Sequence, residues 1–208
     1  MKLTSKLASA TGQRKQKINI VLAEDIIALK DKKAIEELIF HLNNKSKKIQ
    51  YDCIKVLYEV AEHDASLVEG YHTTFIELLD SEDNRMQWEA MTALDYITPL
   101  QTGPIFKSLP KLTRVAANGS VITRDHYVSI LVTLSGTKKN IPVVFPLLMK
   151  QISSCPVNQL PMYAEKAFPV IGKDERAVFT ELLTNRLQAV EQESKRKRIQ
   201  KVLSRLNR

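Results

Sequence analysis

Residues Ile49–Leu57 read IQYDCIKVL, and the same amphipathic pattern returns after 37 residues as MQWEAMTAL at Met86–Leu94. Two further steps of 37 residues reach Thr123–Leu131 and Leu160–Phe168. One unit of this length is too short to bury its own apolar side chains, whereas stacked copies share a continuous core. The interval therefore predicts an all-α solenoid built from stacked helical units.

The apolar positions stay in phase from one copy to the next. They recur at i, i+4, i+8 and i+11, which is one stripe of an α-helix. A second apolar set precedes each copy, so we expect two helices in each unit. The predicted columns of the second helix are Ile49, Met86, Thr123 and Leu160; Cys53, Ala90, Tyr127 and Ala164; Leu57, Leu94, Leu131 and Phe168; and Val60, Ile97, Leu134 and Ile171. The predicted columns of the first helix are Leu38, Phe75, Leu112 and Met149; and Ile35, His72, Leu109 and Pro146.

Helices are also expected outside the regular repeats. An amphipathic segment at Lys17–Leu29 predicts an N-terminal helix, and the segments 174–190 and 193–206 predict a less regular terminal pair. Pro146, Pro161 and Pro169 fall inside predicted helices of the fourth unit. An interior proline removes a helix hydrogen bond, so this unit should be bent or broken into shorter helices.

The second unit resembles a HEAT repeat. Its segment ELLDSED at Glu77–Asp83 looks like the end of a leucine-rich first helix followed by a short acidic turn, and the second helix then carries Met86, Gln87, Ala90, Ala93-Leu94 and Ile97. The resemblance covers residues 32–190. It implies a right-handed α-α superhelix, a HEAT-like solenoid of about five helical hairpins plus an N-terminal helix.

The chain departs from the HEAT pattern at a position where the family often has arginine. Gln50, Gln87 and Pro161 stand there, and only Arg124 matches. These departures place the chain in a divergent branch of the HEAT-like, armadillo-type class. We expect one domain over 1–208, with a cap helix in 1–31, four regular repeats in 32–172 and a capping pair with a basic helix in 173–208.

The composition is typical of a globular, intracellular protein. The 208 residues are 44% hydrophobic, which is enough for a sizeable core. Cys53 falls in a buried column and Cys155 in a loop before Pro156, in nonadjacent units, so no disulfide is expected and a cytoplasmic location is predicted. No apolar run is long enough for a signal sequence or a membrane span.

The net charge of +8 is concentrated at the ends of the chain. Residues 1–50 hold 11 Lys and Arg against 5 Asp and Glu, residues 51–194 hold 13 against 18, and residues 195–208 hold 7 against none. A groove that follows a nucleic-acid backbone needs cations along its length, because affinity comes from displacing counterions at several phosphates. The mildly acidic centre therefore disfavours that class of function.

The C-terminal basic helix is a candidate anion-binding site. Its cations surround a narrow apolar stripe and could dock phosphate, an acidic partner or an anionic membrane surface. The alternative is a solvated terminal cap whose cations suit the helix dipole. The candidate residues are Lys195, Arg196, Lys197, Arg198, Lys201 and Arg205.

The HEAT resemblance implies that the second helices line the concave side, so their exposed columns are where a partner would bind. Tyr51 and Trp88 occupy equivalent positions on adjacent units, and such rings are common in binding hot spots. The alternative is that both rings pack between neighbouring helices. The candidate partner-binding residues are Tyr51, Lys55, Tyr58, Trp88, Asp95, Arg124 and Lys166.

The sequence predicts that the protein is a non-catalytic scaffold that binds a protein partner through the concave surface of its second helices. The alternative is a nucleic-acid-binding protein, with or without base excision, because HEAT-like alkylpurine DNA glycosylases use an aspartate with aromatic and arginine residues. The chain offers Asp95, Trp88 and Arg124 but no segment that matches the active-site segments of that family. No cofactor is predicted, and no metal site either, since the four histidines are scattered. The oligomeric state is left open.

Overall fold

The computed structural model describes residues 3–11 and 17–207, and every regular element in these ranges is helical. Tertiary contacts divide the chain into two compact units, Met1–Tyr127 and Val128–Arg208, and the boundary in the sequence falls within one helix. Each unit has its own core of fully buried apolar side chains, with Phe75 and Leu57 in the first unit and Tyr163 and Phe179 in the second.

The first unit contains seven complete α-helices and the start of an eighth among its described residues. Short 3-10 helices at Leu3–Lys6, Ala65–Leu67 and Glu69–Tyr71 accompany them. The α-helices are α1 (Lys17–Leu29), α2 (Lys32–His41), α3 (Lys47–His63), α4 (His72–Leu78), α5 (Asn84–Ile97), α6 (Thr102–Lys107), α7 (Leu109–Asn118) and α8 (Val121–Ser135).

The second unit begins with the remainder of α8 and continues with pairs of helices. The 3-10 helices Lys138–Asn140 and Phe168–Val170 precede and follow the first of these pairs. The α-helices are α9 (Ile141–Ser154), α10 (Leu160–Ala167), α11 (Arg176–Leu187) and α12 (Glu193–Leu206). The N-terminal helix and the terminal pair are thus confirmed, with α1 at the predicted bounds.

The repeat columns predicted from the sequence form much of the two cores. Cys53, Ala90, Tyr127 and Ala164 are all fully buried, and so are the first three members of the next two columns. Thr123, the polar exception in its column, is also fully buried. The Thr123 N–H donates to the Ser120 hydroxyl oxygen, and the hydroxyl groups of the two residues are hydrogen-bonded to each other. The 37-residue interval therefore marks a structural repeat.

The fourth copy departs from these columns. Phe168 and Ile171 are only half-buried, because α10 ends at Ala167 and a 3-10 turn containing Pro169 follows it. The prediction of a shortened helix is confirmed there. Pro146 is exposed and so does not belong to the buried first-helix column, and α9 continues through it as one helix of 14 residues, so the chain is not broken at this proline.

The expectation of two helices per unit is wrong for the third copy. A separate helix α6 precedes α7, and the chain breaks between them at Ser108. Pro110 explains the break, because it has no N–H to continue the hydrogen bonds of α6, whereas a proline is tolerated in the first turn of the new helix α7. This copy therefore contains three α-helices.

The turns that precede the second helices set where those helices begin. Asp83 caps α5 by accepting a hydrogen bond from the Arg85 N–H at 3.0 Å. Gly119 lies before α8, and a Cβ there would come within 2.8 Å of both the Thr123 side chain and the Val115 carbonyl oxygen. Only glycine allows this approach, so the start of α8 depends on it.

Candidate functional site

Helices α3 and α5 pack together and present a cluster of aromatic rings. The Tyr58 and Trp88 ring centroids are 6.2 Å apart with the planes tilted by 55°, and both side chains are half-buried. Tyr51 lies on the same helix as Tyr58 and is also half-buried. We call Tyr51, Tyr58 and Trp88, with the charged side chains that contact them, the aromatic face.

Tyr51 is fixed by two contacts to the start of α5. Its hydroxyl donates to Asp83 Oδ2 at 2.6 Å, and the Arg85 guanidinium carbon lies 4.3 Å from the centroid of its ring. The hydrogen bond from Tyr51 holds the pKa of Asp83 below its usual value, and Lys47 contributes from 3.3 Å. The same bond raises the pKa of Tyr51, because ionised tyrosine would face a carboxylate.

Lys55 corrects an expectation of the sequence analysis. It was expected on the exposed surface of α3, but only 8% of the residue is accessible. Its ammonium donates to the Tyr58 hydroxyl at 2.5 Å and to Glu59, and it lies 4.4 Å from the Tyr58 ring centroid. Burial acts to lower the pKa of Lys55, but these hydrogen bonds outweigh it and the pKa is raised.

Glu89 is a member of the face that sequence reasoning missed. It is fully buried, and its Oε1 accepts a hydrogen bond from Arg85 Nε at 3.1 Å. Its other carboxylate oxygen, Oε2, has no hydrogen-bond partner among the described residues. Burial raises the pKa of Glu89 to about 7, although the charges of Arg85 and Lys55 act in the opposite direction.

The far end of α5 carries a second polar group. His126 Nδ1 lies 2.8 Å from Asp95 Oδ2, and the ring of Tyr96 is 6.1 Å from the His126 ring. Burial raises the pKa of Tyr96, and a hydrogen bond to Glu62 adds to the rise. Asp95 is thus engaged with a histidine of α8, an arrangement that the sequence spacing did not indicate.

One group of potential metal ligands forms along α3. Glu59, Glu62 and His63 place one ligand atom each within 4.8 Å of one another. The Lys55 ammonium already binds Glu59, and Tyr96 bonds Glu62. These contacts make the group part of the polar network around the aromatic face.

The structure does not bring all the predicted binding residues to one place. Arg124 donates to the Gly119 carbonyl oxygen at 3.0 Å, at the start of α8. Lys166 is exposed in the second unit and donates to Ser129 Oγ at 2.5 Å. Tyr51, Lys55, Tyr58 and Trp88 therefore form the predicted set's single aromatic cluster among the described residues, and Glu89 joins them.

The cations of the C-terminal basic helix are largely engaged within the second unit. Arg198 pairs with both oxygens of Glu165 at 2.8 and 2.5 Å, which lowers the pKa of that carboxyl group. Arg196 donates to the carbonyl oxygens of Leu187, the last residue of α11, and of Val190 in the segment that follows. The remaining contacts are Lys195 to Asn158, Lys197 to Glu193, and Arg205 over the Phe168 ring, with Lys201 exposed beside Glu165.

The structure resembles designed armadillo repeat proteins. One of them, in complex with the peptide (KR)4, superposes with a TM-score of 0.72 at 17% identity over 99% of this chain and 98% of that chain. A computationally designed armadillo repeat protein for modular peptide recognition gives 0.69 at 18% identity over 97% of each chain. The chain has an armadillo/HEAT-like helical-repeat fold. No protein-family model and no curated protein sequence matches it.

The armadillo/HEAT-like fold agrees with the all-α class predicted from the 37-residue interval. A further designed armadillo repeat protein covers 92% of this chain and 93% of its own, with a TM-score of 0.67 and 17% identity. At these identities the likeness establishes the fold and leaves function to be argued from the side chains. No helix within the described ranges is long and apolar enough to cross a membrane.

Proposed function

We propose that this armadillo/HEAT-like chain is a non-catalytic scaffold that binds a segment of a protein partner across the aromatic face. The observation that carries the proposal is the half-buried Tyr58–Trp88 pair, at a centroid distance of 6.2 Å, on two packed helices. Large rings that keep partial exposure supply contact area at a small cost in side-chain entropy. Such rings are enriched in binding hot spots.

The charges around the rings favour a positively charged segment. Carboxylates outnumber cations along α3 and α5, and the cations near the rings are already paired with carboxylates. A basic segment would gain favourable electrostatics and could also stack on the tyrosine and tryptophan rings. The carboxylates of α3, of the Asp83 cap and of α5 are Asp52, Glu59, Glu62, Asp83, Glu89 and Asp95, and the cations are Lys47, Lys48, Lys55 and Arg85.

A structurally similar protein supports a peptide as the kind of partner. The designed armadillo repeat protein with the TM-score of 0.72 is in complex with the basic peptide (KR)4. At 17% identity this likeness supports only the idea that such a fold can hold a peptide. The choice of the aromatic face rests on the side chains of this chain.

The proposal is tested by measuring the affinity of a fluorescent peptide of alternating lysine and arginine. Trp88→Ala should weaken binding at least tenfold, about 1.4 kcal/mol, as expected for a central aromatic residue. Phe40→Ala is the matched control, because Phe40 is 76% exposed at the end of α2 and lies outside the aromatic face. An acidic peptide of the same length should bind far more weakly.

Two results would refute the proposal. The first is the absence of basic-peptide binding at moderate salt, since electrostatic complementarity should be evident there. The second is binding that Trp88→Ala leaves unchanged or that Phe40→Ala weakens equally. Circular dichroism melts of both variants establish that lost binding is not lost folding.

A further inference from the structure

The start of α5 holds an arginine side chain between a ring and a buried carboxylate. The Arg85 guanidinium carbon is 4.3 Å from the Tyr51 ring centroid, and Arg85 Nε is 3.1 Å from Glu89 Oε1. The Arg85 side chain is 40% exposed, whereas the Glu89 side chain is fully buried. The arginine therefore covers the carboxylate from the solvent side.

Only one of the two carboxylate oxygens of Glu89 is hydrogen-bonded in this contact. Oε1 receives the Arg85 N–H, but Oε2 has no hydrogen-bond partner among the described residues. A planar guanidinium can pair with both oxygens of a carboxylate at once, and such two-point pairs are among the strongest hydrogen-bonded contacts in proteins. Arg85 contributes one of these two bonds, so the carboxylate can accept more than its resident partner supplies.

The walls of this site stay in place without Arg85. The Tyr51 hydroxyl is anchored to Asp83 Oδ2 at 2.6 Å, and Asp83 also caps the first turn of α5. Glu89 is fully buried on α5, so its surroundings restrict the carboxylate. The ring and the carboxylate are therefore preorganised, whereas the partly exposed arginine can return to water at modest cost.

We propose that Tyr51 and Glu89 form a binding site for a guanidinium group, that Arg85 occupies it in the free protein, and that an arginine side chain of the bound segment displaces Arg85. The inference rests on the proposed function and specifies one contact of the aromatic face. An incoming arginine can stack on Tyr51 and use both carboxylate oxygens of Glu89. A lysine ammonium cannot match this planar geometry, so the site distinguishes arginine from lysine.

The first experiment tests the site without any partner. Arg85→Ala empties it, and methylguanidinium at millimolar concentration should then raise the melting temperature of this variant by several degrees more than that of the wild type. Arg85→Gln, which keeps most of the side-chain stem, is the second variant should the alanine variant fold poorly. Methylammonium at the same concentration should give little or no such increase.

The double variant Arg85→Ala/Glu89→Gln is the matched control, because it lacks the carboxylate but keeps the ring. Methylguanidinium should not stabilise it beyond the wild type. Equal stabilisation of the single and double variants would overturn the inference, and so would equal stabilisation by methylammonium. These results do not depend on peptide binding, so they separate this inference from the proposed function.

The second experiment tests displacement by a peptide. Removing the resident side chain should strengthen binding of an arginine-containing peptide at least fivefold in Arg85→Ala, and Glu89→Gln should weaken it at least fivefold. Replacing every arginine of the peptide with lysine should abolish the gain in Arg85→Ala. If the peptide binds through Trp88 but these variants do not change the arginine preference, the guanidinium site is wrong and the proposed function stands.

Discussion

Replacement of Glu89 by glutamine tests the burial of a carboxylate beneath the aromatic face. The pKa of Glu89 is raised by burial from an ordinary 4.5 to about 7. Between these values the folded protein holds a proton that the unfolded chain has released. The associated stabilisation is fully present below pH 4.5 and is lost as pH rises through about 7, a total of roughly 3 kcal/mol.

The raised pKa of Glu89 already includes the influence of the charged groups that face it. Arg85 and Lys55 favour the ionised form, while the carboxylate of Asp83 opposes it. The hydroxyls of Tyr51 and Tyr58 belong to the same cluster, and both tyrosine pKa values are raised. Because Glu89 is fully buried, solvent screening does not reduce the expected effect.

The assay compares urea unfolding of the wild type and Glu89→Gln at pH 5 and pH 8. The glutamine side chain keeps the shape without titrating, so the variant should gain roughly 2 to 3 kcal/mol relative to the wild type between these two pH values. Glu77→Gln, at an exposed carboxylate of α4, is the control for the loss of an exposed charge. A difference that changes by less than about 0.5 kcal/mol would refute the burial argument.

Three further predictions concern local structure at Gly119, Tyr51 and Lys30. Gly119→Ala should destabilise by roughly 1 to 3 kcal/mol, because its Cβ would meet atoms at 2.8 Å, whereas Gly70→Ala meets nothing within 4 Å and should fold normally. Tyr51→Phe should cost about 1 kcal/mol and raise the pKa of Asp83, since it removes the 2.6 Å hydrogen bond. Lys30→Gly should stabilise by about 1 kcal/mol, because Lys30 adopts a φ of 48° after α1.

Thermal and urea unfolding measure the three stability changes, and a carbon-detected NMR titration follows the Asp83 carboxyl. Equal melting temperatures for the Gly119 and Gly70 variants would contradict the close approach at the start of α8. An unchanged Asp83 titration would contradict the contact with Tyr51. A loss of stability in Lys30→Gly would mean that the side chain contributes more than the backbone geometry costs.

The repeating part of the fold could be predicted because helix periodicity and repeat interval act together. Each of Cys53, Ala90 and Tyr127 falls on a buried stripe, and the stacking of units forces these stripes to face one another. The pattern failed at Phe168 because Pro169 ends the preceding helix. The 37-residue spacing can be extended past Pro169 in the sequence, whereas the helix itself ends before this proline.

The aromatic face could be predicted only in part. Tyr51 and Trp88 share a repeat column, but Trp88 pairs with Tyr58 in the structure. The repeat register places Lys55 in an exposed column of the second helix, although Glu59 four residues later is a possible ion-pair partner. Its aliphatic stem and the neighbouring tyrosine bury it.

Glu89 could not be found by the same reasoning. Arg85 and Glu89 are four residues apart on one helix, and such a pair is usually a solvated surface contact. The packing of α3 against α5 buries the carboxylate, and a pattern within one repeat does not contain that information. The burial of a charged residue beside an aromatic column therefore depends on how the adjacent repeat packs against it.

The central claim is that a basic segment binds across α3 and α5, and chemical-shift mapping tests it most directly. Titration of the labelled protein with a peptide of alternating lysine and arginine should shift the Trp88 indole signal and the amides around Tyr51, Tyr58 and Glu89, while α12 remains unaffected. Saturable shifts confined to this region are the predicted result. Shifts confined to other helices, or no shifts at a peptide excess at moderate salt, would contradict the claim.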